Sequence, residues 1–195
     1  MKILCLYNNS CAIPLFQWLK ESGHETTLCS EQLTKEFSQQ QTFDLAVSYT
    51  YRYLIPEEIL QAFHFNVVNL HNSFLPWNRG ADPNLWSILG DGPRGVTLHY
   101  VSAELDKGDI IVQQLVPLSP KDTLKTSYDA LDQAAQEQFR EAFQWYELWP
   151  KMRKKPLGVG NYHSVKDGEF LHKIIDTYDM SVKKFCRLVK SQTAR

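Results

Sequence analysis

Residues 66–76 read Asn66-Val67-Val68-Asn69-Leu70-His71-Asn72-Ser73-Phe74-Leu75-Pro76. Residues 66–70 form an apolar run with the length of a buried strand, and the polar groups that follow mark its carboxyl end. An amide, Asn69, and an imidazole, His71, are thereby delivered where open α/β sheets place their ligands.

Working outward, apolar runs alternate with helical patterns, which predicts parallel strands joined by crossover helices. Strands are expected at residues 3–7, 26–29 and 43–49, and a short helix at 56–63. Between the first two strands, Pro14 opens an apolar-periodic segment through Leu19 and Gly23 follows its end, the usual order for a helix. Asp82 is the expected N-cap of a helix over 82–89 with Pro83 at its first position, closed by Gly90-Asp91-Gly92-Pro93. Two later strands, 95–101 and 110–117, flank a loop holding Asp106-Lys107-Gly108-Asp109, whose residue types suit a turn. Tyr128, Leu131, Ala135, Phe139, Ala142, Tyr146 and Trp149 recur at steps of three and four, predicting an amphipathic helix that Pro150 stops. That stripe faces either the core or a homodimer partner. Beyond it come a basic patch (Lys151, Arg153, Lys154, Lys155), a loop over 158–166 and a terminal helix over 178–189. The expected organisation is one α/β domain, 1–150, with a mostly parallel twisted sheet, and a C-terminal extension, 151–195.

Length and charge agree with a single soluble domain. The chain has 195 residues, with 21 Lys+Arg against 22 Asp+Glu. A net charge of −1 gives no basic field for a nucleic-acid backbone or an anionic membrane, so a small-molecule partner is the expectation. No apolar run approaches the ~20 residues of a bilayer span, and the polar Asn8-Asn9-Ser10 ends the first run too early for a signal segment. Cys5, Cys11, Cys29 and Cys186 show neither CxxC nor paired Cys/His spacing, so no metal site is expected and free thiols in a reducing cytoplasm fit best.

An amide, an imidazole and a carboxylate can carry an acyl transfer without metal or covalent intermediate. Negative charge builds on oxygen when an amine attacks an acyl carbonyl, and Asn69 with a protonated His71 can donate hydrogen bonds to it. Asp106 can hold the imidazole protonated and relay the proton that the amine loses. An Asn and a His two residues apart are, alone, as often a hydrogen-bonded strand end.

The linked motifs Asn69-Leu70-His71-x-Ser73-x-Leu75-Pro76, Arg79-Gly80, Gly95-Val96-Thr97-x-His99 and Leu105-Asp106-x-Gly108 resemble the 10-formyltetrahydrofolate-dependent formyltransferase family in order and spacing. The resemblance is close over residues 45–114, weaker over 1–19 and slight after Pro150. It implies a Rossmann-like core with Asn69, His71 and Asp106 as the catalytic trio and 10-formyltetrahydrofolate as donor. It further implies a folate pocket walled by Tyr51, Arg52, Tyr53 and Leu54, by Ser73, Phe74, Leu75 and Pro76, and by Ser102, Ala103, Glu104, Leu105 and Asp106. Phe74 departs from the more usual leucine, which reshapes a wall without removing a catalytic group.

Departures narrow the acceptor. Members acting on glycinamide ribonucleotide carry a glycine-rich phosphate loop after the first strand, where this chain has Asn8-Asn9-Ser10-Cys11. Members acting on methionyl-tRNA add a C-terminal domain and positive charge. The compact chain is more similar to members that formylate amino-deoxysugars on nucleotides, with Arg79, Trp86 and His99 as candidate substrate contacts. Trp86 and His99 equally suit packing, and residues 158–166 suit either a pocket cap or a connection. A catalytically silent folate-binding module is the competing class; an NAD-binding protein would need a GxGxxG that is absent.

Overall fold

The apolar runs become strands because each is short, β-branched or leucine-rich, and bounded by polar turns. The computed structural model describes residues 1–90 and 92–193, so Asp91 of the expected 90–93 turn lies outside the described residues. The strands are β1 (Lys2–Leu6), β2 (Glu25–Cys29), β3 (Leu45–Tyr49), β4 (Val67–His71), β5 (Arg79–Gly80), β6 (Gly95–Tyr100), β7 (Ile110–Leu115) and β8 (Tyr162–His163). The helices are α1 (Ile13–Glu21), α2 (Lys35–Gln40), α3 (Glu57–Ala62), α4 (Pro83–Leu89), α5 (Leu124–Phe143), α6 (Trp149–Met152), α7 (Val165–Ile174) and α8 (Val182–Thr193).

One sheet runs in the order β2-β1-β3-β4-β6-β7. Its first four strands are parallel, whereas β6 and β7 pair antiparallel, as a hairpin attached to β4. This is the mostly parallel α/β architecture expected from the alternation of elements. One face is covered by α1, α5 and the start of α6, which bury Leu15, Phe16, Leu131, Phe139 and Trp149 against Ile3, Val47 and Val68. The other is covered by α3 and its flanks, with Ile59, Leu60 and Phe63 against Leu4, Ala46 and Val67. Residues 151–193 add a third cluster, in which Leu171, Met180 and Phe185 pack on Leu85, Ile88 and Leu124. The four cysteines are free.

Four local expectations need correction. Pro150 does not stop the long helix. That helix ends at Phe143, and Pro150 sits in the first turn of α6, where a missing N–H costs nothing. The period carries on because the 3₁₀ turn Tyr146–Leu148 keeps Tyr146 and Trp149 against Phe143, with ring centroids 5.8 and 6.1 Å away. Both Phe139 and Trp149 are fully buried in the chain's own core. Asp82 precedes α4 but does not cap it with its side chain, since a φ of 51° turns the carboxylate away. Its Oδ2 instead accepts from His172 Nε2 at 3.0 Å. The stretch 158–166 is not simply loop, because β8 pairs in parallel with β5 and α7 starts at Val165, its end capped reciprocally by Ser164 and Asp167. The last helix, finally, begins at Val182 rather than 178.

Candidate active site

Asn69 and His71 lie two apart on β4, so the strand period puts both side chains on one face of the sheet. Register sets their neighbours. Ser48 of β3 and His99 of β6 are both paired with Asn69, and Thr97 is paired with His71. A row of three polar side chains, Ser48, Asn69 and His99, thus crosses three strands of an otherwise apolar sheet. Ser48 Oγ lies 2.9 Å from Asn69 Oδ1, and Asn69 Nδ2 lies 3.2 Å from His99 Nε2.

The connection between β6 and β7 folds back over this face and brings Asp106 to the row. Asp106 has a φ of 51°, a left-handed conformation that Asp and Asn adopt more readily than other non-glycine residues. Gly108 makes the tight return possible, since a Cβ there would fall 1.7 Å from the Tyr100 carbonyl oxygen. Asp106 Oδ2 accepts the Gly80 N–H at 2.8 Å and stands 3.7 Å from His71 Nε2, while Oδ1 stands 3.9 Å from His99 Nε2. The Arg79-Gly80 motif therefore acts through a backbone amide that fixes the carboxylate. His71 Nε2 also meets the Asn78 carbonyl oxygen at 3.3 Å, which assigns the hydrogen to that nitrogen because a carbonyl only accepts.

Burial opposes charge on both Asp106 and His99, with different outcomes. Desolvation pushes Asp106 up, yet His71, His99 and the Gly80 N–H outweigh it and hold the carboxyl below its usual range. Desolvation wins at His99 and drives it down to about 4, although Asp106 pulls the other way. His99 is neutral at pH 7, and the Gly80 N–H is bonded directly to the Asp106 carboxylate. Among the described residues no cluster of three or more His, Cys, Asp or Glu is arranged to hold a metal ion.

Over the row lies a cavity lined by Ser48, Tyr51, Tyr53, Leu54, Ile55, Asn69, His99, Val101 and residues 102–106. Of the residues expected around folate, Tyr51, Tyr53, Leu54, Ser102, Ala103, Glu104, Leu105 and Asp106 line it together. Ser73, Leu75 and Pro76 are buried outside the lining, with the Ser73 carbonyl and the Leu75 N–H both bonded to Thr97 Oγ1. Phe74 is also outside it, and Arg52 is exposed with its guanidinium 5.6 Å from the Tyr53 ring. His99 lines the cavity but is only 2% exposed. Arg79 and Trp86 lie elsewhere: the Arg79 Nε–H donates to the Asn161 carbonyl at 3.3 Å, and Trp86 stacks flat on His163 at 3.9 Å. Ser48, Asn78 and Asn161 are not singled out one by one in the sequence reading; Ser48 left a signal, as a polar residue inside the apolar run 43–49, and Asn161 lies in the stretch 158–166 read as a cap or a connection.

A formyl transferase family model matches residues 7–143. The chain belongs to that family. Among solved structures it is similar to the formyltransferase PseJ of Anoxybacillus kamchatkensis, at 38% identity and a TM-score of 0.84, over 95% of this chain and 97% of that one. That enzyme's structure holds UDP-4,6-dideoxy-4-formamido-L-AltNAc and tetrahydrofolate. A 4-N formyltransferase from Francisella tularensis shares the fold, with a TM-score of 0.76 at 22% identity over 96% of this chain and 85% of that one. Among curated sequences, the methionyl-tRNA formyltransferase of Fusobacterium nucleatum subsp. nucleatum is 40% identical over 89 residues, 45% of this chain and 29% of that protein. The chain spans about a third of the length of the curated methionyl-tRNA formyltransferases it matches.

Proposed function

We propose that this formyl transferase moves a formyl group from 10-formyltetrahydrofolate to the amino group of a nucleotide-linked amino-deoxysugar, a UDP-linked 4-amino sugar first. The observation that carries this reading is the likeness to PseJ over nearly the whole of both chains, with that enzyme's formamido sugar and folate. The cavity supports the donor, since its apolar and aromatic wall, Tyr51, Tyr53, Leu54 and Ile55, suits a flat heterocycle and it ends on Asn69 and Asp106. Bound there, the folate would supply the formyl carbon. Asn69 and His71 would then donate hydrogen bonds to the formyl oxygen as the amine nitrogen bonds to the formyl carbon, and collapse of that tetrahedral adduct would break the carbon's bond to folate N10. Asp106, held ionised by the groups around it, would take the proton that the amine gives up, and a proton returned to N10 would let tetrahydrofolate leave as the neutral amine.

The loop after β1 supports a sugar nucleotide over glycinamide ribonucleotide. Three of its amides are already engaged: those of Asn8 and Asn9 by Thr50 Oγ1, at 3.3 and 3.0 Å, and that of Cys11 by Asn9 Oδ1, at 3.0 Å. None of the three is left to cradle a phosphate as a glycine-rich loop would. The basic patch is likewise partly spent within the chain, Lys155 on Asp109 at 2.7 Å and Arg153 over the Tyr100 ring at 3.6 Å.

The methionyl-tRNA reading is favoured by the 40% identity of the matched segment and stands as the second. An acceptor screen separates them. The protein is incubated with 10-formyltetrahydrofolate and, in parallel, a UDP-linked 4-amino-4,6-dideoxy sugar, a dTDP-linked amino sugar, glycinamide ribonucleotide or initiator methionyl-tRNA, with products read by mass. Formylation of the UDP sugar in preference to the others is expected. Product from methionyl-tRNA alone would replace the first reading with the second, and folate binding without any product would make the protein a silent module.

A further inference from the structure

We infer that Ser48 is a positioning residue for formyl transfer, its hydroxyl holding the Asn69 carboxamide in the orientation that aims an N–H at the reacting carbonyl. This rests on the formyl-transfer reading above. The direction of every hydrogen bond in the row follows from one fixed end. His99 Nδ1 lies 2.9 Å from the Tyr100 carbonyl oxygen, so Nδ1 carries the hydrogen and Nε2 of the neutral ring is left as an acceptor. Asn69 must therefore turn its NH₂ group, not its oxygen, toward His99 at 3.2 Å. That places Oδ1 toward Ser48, whose Oγ–H donates to it at 2.9 Å. The chain of donors runs one way, from Ser48 through Asn69 and His99 to the backbone of β6.

One Nδ2 hydrogen of Asn69 is left over, on a residue that lines the cavity beside Asp106. An Asn χ2 torsion is broad and roughly two-fold, so a carboxamide held at one end alone can swing or invert. Inversion would present oxygen lone pairs to the developing oxyanion. With Ser48 on Oδ1 and His99 on Nδ2 both ends are pinned, and the donor is set before substrate arrives. Packing does not ask for the hydroxyl at this place: Ser48 is buried, and the residues before it, Leu45, Ala46 and Val47, are apolar and fully buried.

The test is a double-mutant cycle on the whole chain, using 10-formyltetrahydrofolate with the UDP-linked 4-amino sugar and, as a second nucleophile, hydroxylamine. Ser48→Ala is expected to lower kcat roughly 10-fold to 100-fold, the size of a loosened oxyanion donor, with a much smaller change in tetrahydrofolate affinity. In an Asn69→Ala background, Ser48→Ala is expected to cost nothing further, because its effect passes through that amide. Ser48→Cys, of similar volume but a much weaker donor, should fall between wild type and alanine and covers the case of a poorly folded alanine variant. A wild-type kcat in Ser48→Ala, or the same fold-loss with and without Asn69, overturns the role of Ser48 while leaving formyl transfer standing. A wild-type protein that formylates neither nucleophile nor any acceptor of the screen above overturns the formyl-transfer reading itself, and the role of Ser48 with it.

Discussion

Asp106 combines a left-handed backbone, a buried carboxylate and three polar neighbours in one residue. Asparagine tolerates the same backbone, so Asp106→Asn separates charge from conformation. It is expected to fold normally, bind tetrahydrofolate with little change and lose at least about 10²-fold in kcat, the usual worth of a positioned proton acceptor. Fluorescence titration with tetrahydrofolate and steady-state rates check it. His99 gives a second expectation, in stability. Its folded pKa of about 4 lies below the ~6.5 of an unfolded histidine, so between those values the unfolded chain binds the extra proton. Stability is then full above pH 6.5 and falls as pH drops toward 4, by on the order of 3 kcal/mol. The depressed Asp106 adds its own loss only at lower pH, as its carboxyl protonates in the folded state. Urea unfolding at pH 7 and 4.5 measures the slope, which His99→Gln should remove. At this scale Asn69, His71 and Asp106 were singled out by their residue types and by the resemblance of the motifs that hold them, while their nearness in space lay in the fold and not in their spacing. Ser48 stayed hidden because its meaning lies in register, and a single sequence does not say which strand neighbours which.

Among the elements, the smallest strand pair has the largest consequence for the site. β5 holds Asp106 by the Gly80 amide, and β8 holds β5. Gly80 has a φ of 88°, and a Cβ there would fall 2.3 Å from the His163 carbonyl oxygen. Gly80→Ala should therefore push β5 off β8, cost about 2 kcal/mol or more from strain and withdraw the amide from Asp106. A loss of kcat exceeding what the fall in folded fraction explains is the expected signature, from paired denaturation and rate measurements. Helix starts and strand runs were legible where the signal was local, as at Pro14, Pro83 and residues 66–70. Two-residue strands carry no periodicity, so β5 and β8 left none to find. The end of α5 escaped for another reason: Tyr146 and Trp149 continue the apolar period through a 3₁₀ turn, and Pro150 imitates a stop signal from inside the next helix.

For the molecule as a whole, the sheet places Ser48, Asn69 and His71 on one face and the main core on the other. Trp149, fully buried among Phe139, Phe143 and Tyr146, closes the core from beyond the long helix. Trp149→Ala is expected to destabilise the chain by about 3–5 kcal/mol while leaving kcat of the folded fraction unchanged. The parallel half of the sheet followed from alternating elements, but the antiparallel turn of β6 did not, because a hydrophobic run has no direction. The packing of α7 and α8 on α4 is equally a long-range fact, written in no local pattern. The central claim is that formyl passes directly to a sugar-nucleotide amine at Asn69, His71 and Asp106. Its most direct measurement counts formylated UDP-linked amino sugar against tetrahydrofolate released, for wild type and Asp106→Asn side by side. One formylated sugar per tetrahydrofolate in wild type, and neither product above background in the variant, is the expected result. Equal yields from both proteins, or tetrahydrofolate released without formylated sugar, would contradict it.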